Sequence, residues 1–189
     1  MESALVVSHS KKSFDFFMEI LNMAQINQIV GVSTCGEARR LLLERDFDLI
    51  IINAPLKDET GEKLSRHIAA KCMSQVIFVV SAEHYDAVSE HCENDGILTV
   101  SKPINKTVLW SAIKLAKAAQ SKIMHMHSEN NKLKQKIDDI RIVDRAKCIL
   151  ISYMNMGEKE AHRYIEKQAM DMRMSKRAVA EGILKTYEN

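Results

Sequence analysis

The sequence predicts an α/β fold with a helical tail: a five-stranded parallel sheet covered by helices, then a long helix, then a module of three short helices. Three observations predict it. Five short apolar runs rich in β-branched residues alternate with segments of helical periodicity. No glycine or proline interrupts the chain between Pro103 and Gly157, so a helix of great length is permitted there. The charge also changes sign: up to Gln120 there are 13 Lys and Arg against 15 Asp and Glu, and from Ser121 onward 14 against 10. The front is therefore −2 and the back +4, a bias that suits a polyanionic partner at the carboxyl-terminal end.

The first strand is Ala4-Leu5-Val6-Val7, and the segment after it places Phe14, Phe17, Met18 and Leu21 on one helical stripe. Ile29 to Val32 is the second strand, and Thr34-Cys35-Gly36-Glu37 has the spacing of a capping box opening the next helix. Leu49 to Ile52, Val76 to Val80 and Ile97 to Val100 complete the set. These strands are apolar throughout, which implies a parallel sheet buried on both faces. The composition, 46% hydrophobic and 28% charged with only Pro55 and Pro103 as prolines, fits a folded chain without a disordered linker. No long uncharged apolar run exists and the first residues lack a basic, then apolar, leader, so a cytoplasmic protein off the membrane is expected. Cys35, Cys72, Cys92 and Cys148 are widely spaced, which argues against a disulfide framework or zinc site and for reduced, mostly buried thiols. No metal and no cofactor is expected.

Asp48 to Ile52, then Asn53-Ala54-Pro55-Leu56-Lys57-Asp58-Glu59-Thr60-Gly61, then Ser81-Ala82 and Lys102-Pro103 stand at the carboxyl ends of successive strands, where an open α/β sheet places its site. Over residues 1–120 this pattern resembles the receiver domain of two-component response regulators, a flavodoxin-like fold. The resemblance implies an acidic pair after the first strand to hold Mg²⁺, an aspartate after the third, a hydroxyl after the fourth and a lysine after the fifth. Ser81 and Lys102 fill the last two places, but Ser8 and His9 stand in the acidic-pair positions and Asn53 in that of the phosphoacceptor. Mg²⁺ prefers carboxylate oxygens, and a neutral amide cannot form an acyl phosphate. Thr99 stands where the family commonly has an aromatic residue, and Asp58 reads as a solvated turn residue rather than a substitute acceptor. The expectation is a pseudo-receiver, a platform for a sensor or regulatory protein.

Past Pro103, Leu109, Ala112, Ala116, Ala119, Ile123, Met126, Asn130, Leu133, Ile137 and Ile140 recur at alternating steps of three and four. That is a coiled-coil seam, with Asn130 at a position where a buried polar pair fixes register between two strands. A connector over 121–140 that builds a homodimer is expected. Its rival has Leu109 to Lys117 packing on the sheet and the rest of the seam folding back within the chain. His125 and His127 form an H-x-H pair without a third ligand and read as surface residues.

In the last segment, 141–189, Gly157 reads as the stop of the long helix. Ala161, Tyr164, Ile165, Gln168, Ala169 and Met172 form one stripe; Ser175 caps a further helix whose apolar face holds Ala178, Val179, Gly182 and Ile183. Ala146-Lys147, Ala161 with Tyr164, Ala169-Met170 and Ala180 together resemble the ANTAR domain, a three-helix module of bacterial antitermination regulators that binds hairpins in nascent leader RNA. Cys148 departs from the glycine usual in that family. The resemblance implies RNA contact at Lys147 and Tyr164, while Arg145, Arg163, Lys167, Arg173, Lys176 and Arg177 are candidates from charge and position. The leading expectation is a dimeric, non-enzymatic RNA-binding antiterminator. A coiled-coil scaffold without RNA binding is the alternative.

Overall fold

A computed structural model describes residues 1–187. Five strands form one parallel sheet in the order β2-β1-β3-β4-β5, with β1 at Ser3–Val7, β2 at Gln28–Val32, β3 at Leu49–Asn53, β4 at Gln75–Ser81 and β5 at Leu98–Lys102. Alternating side chains divide the core. Leu5, Ile50, Ile52, Val76 and Phe78 face α2 (Cys35–Glu44), α3 (Glu62–Lys71) and α4 (Ala82–Asn94). Ala4, Val6, Leu49, Ile51 and Ile77 face α1 (Lys11–Met23) and the first part of α5 (Lys106–Met154). Both faces are thus dry, which explains why the strands lack an apolar-polar alternation. The order reverses between β1 and β3, and their carboxyl ends place Ser8 and Asn53 side by side.

Thr34 caps α2 as expected, its hydroxyl accepting from the Glu37 N–H at 3.1 Å. The return half of the box is shifted by one residue: the Glu37 carboxylate accepts from the N–H and hydroxyl of Ser33, at 2.8 and 3.0 Å. Asp58 is exposed in a bend, as the sequence suggests, and has a second role there. It accepts from the N–H groups of Cys35 and Gly36, both at 3.0 Å, and so closes the amino end of α2 from 22 residues away.

The seam divides. Leu109 and Ala116 are fully buried on the sheet, whereas Ile123, Met126, Leu133, Ile137 and Ile140 are exposed by 40 to 61%. The chain forms two compact units that divide after Met124, within α5.

The unit from His125 onward has its own small core. Ala146, Ile149 and Leu150 of α5 meet Ala161, Ile165 and Ala169 of α6 (Glu158–Met172) and Val179, Ala180 and Leu184 of α7 (Lys176–Tyr187). Several expectations are corrected here. α5 ends at Met154 and the chain turns at Asn155, with φ +54°; Gly157 instead caps α6, its N–H donating to the Glu160 carboxylate at 2.9 Å. Met172 and Gly182 are exposed rather than buried, because Met172 ends its helix and α7 turns Leu184 inward instead. Cys148 is exposed, so it is not among the buried thiols and does not crowd the helix contact. Ser175 caps α7 through the Ala178 N–H at 3.1 Å.

Candidate nucleic-acid interface

At the carboxyl end of the sheet, Asn53 is 2% exposed and donates its amide to the Ser8 hydroxyl at 3.0 Å. Its amide oxygen is buried with no hydrogen-bond partner among the described residues. Lys102 donates to the Ala54 carbonyl, and burial holds its ammonium below the ordinary lysine range. Ser81 is hydrogen-bonded to His84 Nδ1 at 2.8 Å, and His9 is exposed. An amide, a hydroxyl and one lysine offer neither a carboxylate nucleophile nor a carboxylate pair for a hard cation. Among the described residues, no three His, Cys, Asp or Glu side chains are grouped to hold a metal ion.

In the carboxyl-terminal unit α5, α6 and the start of α7 enclose a cleft of about 370 Å³. Ile140 and Val143 are its apolar side, and Lys147, His162, Lys176 and Arg177 reach it together with Asp139 and Asp144. Its cations are tied down. Lys147 Nζ lies 2.8 Å from Asp144 and 3.6 Å from Glu158, and its side chain is only 16% exposed. Arg177 bridges Asp139 and Glu181, each at 2.8 Å, and Lys176 reaches Glu166 at 2.5 Å with His162 at 3.3 Å from the same carboxylate. The hydrogen bond that Lys147 donates to Asp144 raises the Lys147 pKa, that which Arg177 donates to Asp139 raises the Arg177 pKa, and that which Glu166 accepts from Lys176 lowers the Glu166 pKa.

Residues 131–184 match the family model described as the ANTAR domain. The chain is also 28% identical over 160 residues to the transcriptional regulatory protein PdtaR of Mycobacterium tuberculosis, strains H37Rv and CDC 1551, covering 84% of this chain and 78% of that protein. The chain joins a unit of receiver fold to an ANTAR domain. Its front unit shares the receiver fold. The receiver domain of an HD-domain-containing protein from Pseudomonas fluorescens Pf-5 superposes with a TM-score of 0.58 at 19% identity, covering 65% of this chain and 91% of that one. A CheY-like receiver protein from Methanospirillum hungatei JF-1 gives 0.55 at 23% identity, covering 65% and 98%.

Within the ANTAR domain the structure gathers Lys147, Lys176 and Arg177 at the cleft. Arg163 and Lys167 lie on the open side of α6 with no ion pair among the described residues, and Arg173 ends that helix with φ +52°. Arg145 is exposed and engaged in an interaction of its own, while Tyr164 is half-buried against the module's core. The sequence reading missed the counter-charges and the cleft's lining: Asp139, Asp144, Val143 and His162. The Asp144–Lys147 and His162–Glu166 pairs carry a signal in their helical spacing of three and four. Arg177 with Asp139 carries none, since 38 residues separate them. No helix among the described residues is long and apolar enough to cross a membrane.

Proposed function

We propose that this regulator binds hairpins in leader RNA through its ANTAR domain and acts as a transcription antiterminator. It works as a non-enzymatic dimer joined through Ile123 to Ile140, and its front unit answers to a partner protein rather than to phosphorylation. The observation that carries the reading is the ANTAR match over 131–184, a stretch that builds a three-helix core of its own and turns cationic side chains outward. Similarity to a transcriptional regulatory protein supports the regulatory part. Ser8 and Asn53, hydrogen-bonded to each other where a receiver carries carboxylates, support the part concerning phosphorylation. The exposed seam supports the dimer.

The test is binding of the full-length protein to hairpins from the leader transcripts next to its own gene, with scrambled hairpins as controls, and transcription through the terminator that follows them. The reading expects preference for the native hairpins, affinity that falls with salt, and more read-through when protein is present. Equal binding to native and scrambled hairpins would overturn it in favour of a scaffold.

A further inference from the structure

We infer that the cleft between α5, α6 and the start of α7 is a reading pocket for one unpaired nucleobase, an inference that rests on the RNA-binding reading above. The charge arrangement points to a base rather than a phosphate. Lys147, Lys176 and Arg177 are each held by a carboxylate, from Asp144, Glu166 and Asp139 respectively. A phosphate drawn to any of these cations would have to displace a carboxylate already in place, so the exchange gains little. Hydrogen-bond donors and acceptors side by side match the edge of a base, which itself presents both. Val143, just past the dimer seam, adds apolar surface that a base face packs on, and about 370 Å³ is within the range of clefts that take small organic groups.

The phosphate-binding work falls to a different surface. Lys159, Arg163 and Lys167 recur every four residues along α6, all exposed and with no ion pair among the described residues. Binding a phosphate there displaces only counterions. Lys159 and Arg163 stand three residues before His162 and Glu166, so the cationic stripe borders the cleft. A backbone tracked along the stripe delivers its base to the pocket.

The probe is a pool of hairpins with one fixed stem and fully randomised loops, selected on the full-length protein. Wild type is expected to enrich particular loops by about tenfold or more. Val143→Phe fills the cleft and is expected to abolish that enrichment while leaving the salt dependence intact. Asp144→Asn replaces one acceptor with a donor and is expected to change the preferred base at one loop position. Asp144 is 55% exposed, so this variant decides the matter if circular dichroism shows that Val143→Phe unfolds the module. Replacing Lys159, Arg163 and Lys167 with Gln is expected to weaken all loops alike, lowering the salt slope by about one for each charge removed. A folded Asp144→Asn protein that enriches the same loops as wild type would overturn the pocket. A wild type that binds no hairpin in a salt-dependent way would overturn the RNA reading itself.

Discussion

Asn53 and Ser8 show how two side chains set the chemistry at the carboxyl end of a sheet. The carboxyl ends of β1 and β3 bring these positions together, and the groups delivered there are an amide and a hydroxyl, the amide nitrogen donating to the hydroxyl at 3.0 Å. Attack on a phosphoryl donor requires a carboxylate oxygen with a full charge and a divalent ion to neutralise the transferring group. Neither is present in this pair of residues, and Lys102 is engaged with the Ala54 carbonyl. Incubation with acetyl phosphate and Mg²⁺ is therefore expected to leave the intact mass unchanged. A stoichiometric phosphate adduct would refute this. That Ser8 and Asn53 follow or end the first and third apolar runs was legible in the sequence, because those runs are continuous. The hydrogen bond between Asn53 and Ser8 was not, since it spans 45 residues and depends on strand order.

The helices show which element boundaries a sequence specifies and which it leaves open. The strands were legible because burial on both faces leaves continuous apolar runs, and Thr34 and Ser175 were legible because their hydroxyls bond three residues ahead. The end of α5 was not. An asparagine entering a left-handed turn at Asn155 competes with the glycine two residues on, and local propensity favours the glycine. The contact of Asp58 with the amino end of α2 was not legible for a related reason, as its partners lie more than twenty residues away. Burial alone would raise the Asp58 carboxyl, but the hydrogen bonds from the Cys35 and Gly36 N–H groups outweigh it and hold the group below the ordinary carboxylate range. A carboxyl lowered in the folded state contributes its full stabilisation above the ordinary carboxylate range and loses it as pH falls through the lowered value. Asp58→Ala is expected to cost about 1 kcal/mol in urea denaturation at neutral pH. The gap from wild type should close on acidification below about pH 4. A gap that persists in acid would assign the loss to packing instead of the helix end.

At the scale of the whole molecule, the change of charge visible in the sequence falls close to the boundary between two units, each with a separate core. The basic residues were legible as a set, but their carboxylate partners separate those tied at the cleft from those open on α6, and that sorting needs three-dimensional neighbours. The exposed seam predicts self-association: light scattering is expected to report a dimer at tens of micromolar, lost in Leu133→Pro, and a wild-type monomer would exclude it. A further consequence concerns the helix–coil balance of this stretch. Every residue from 121 to 138 is exposed, and His125, His127, Ser128, Asn130 and Asn131 are weak helix formers. Without a partner such a segment rests on its own hydrogen bonds, which in water leave a helix of this length marginal. Forming the helix and forming the dimer are then one equilibrium, so mean helical ellipticity should rise with protein concentration along the same curve as mass. The centre of the 49-residue α5 would melt on dilution while the cores at its two ends remain folded.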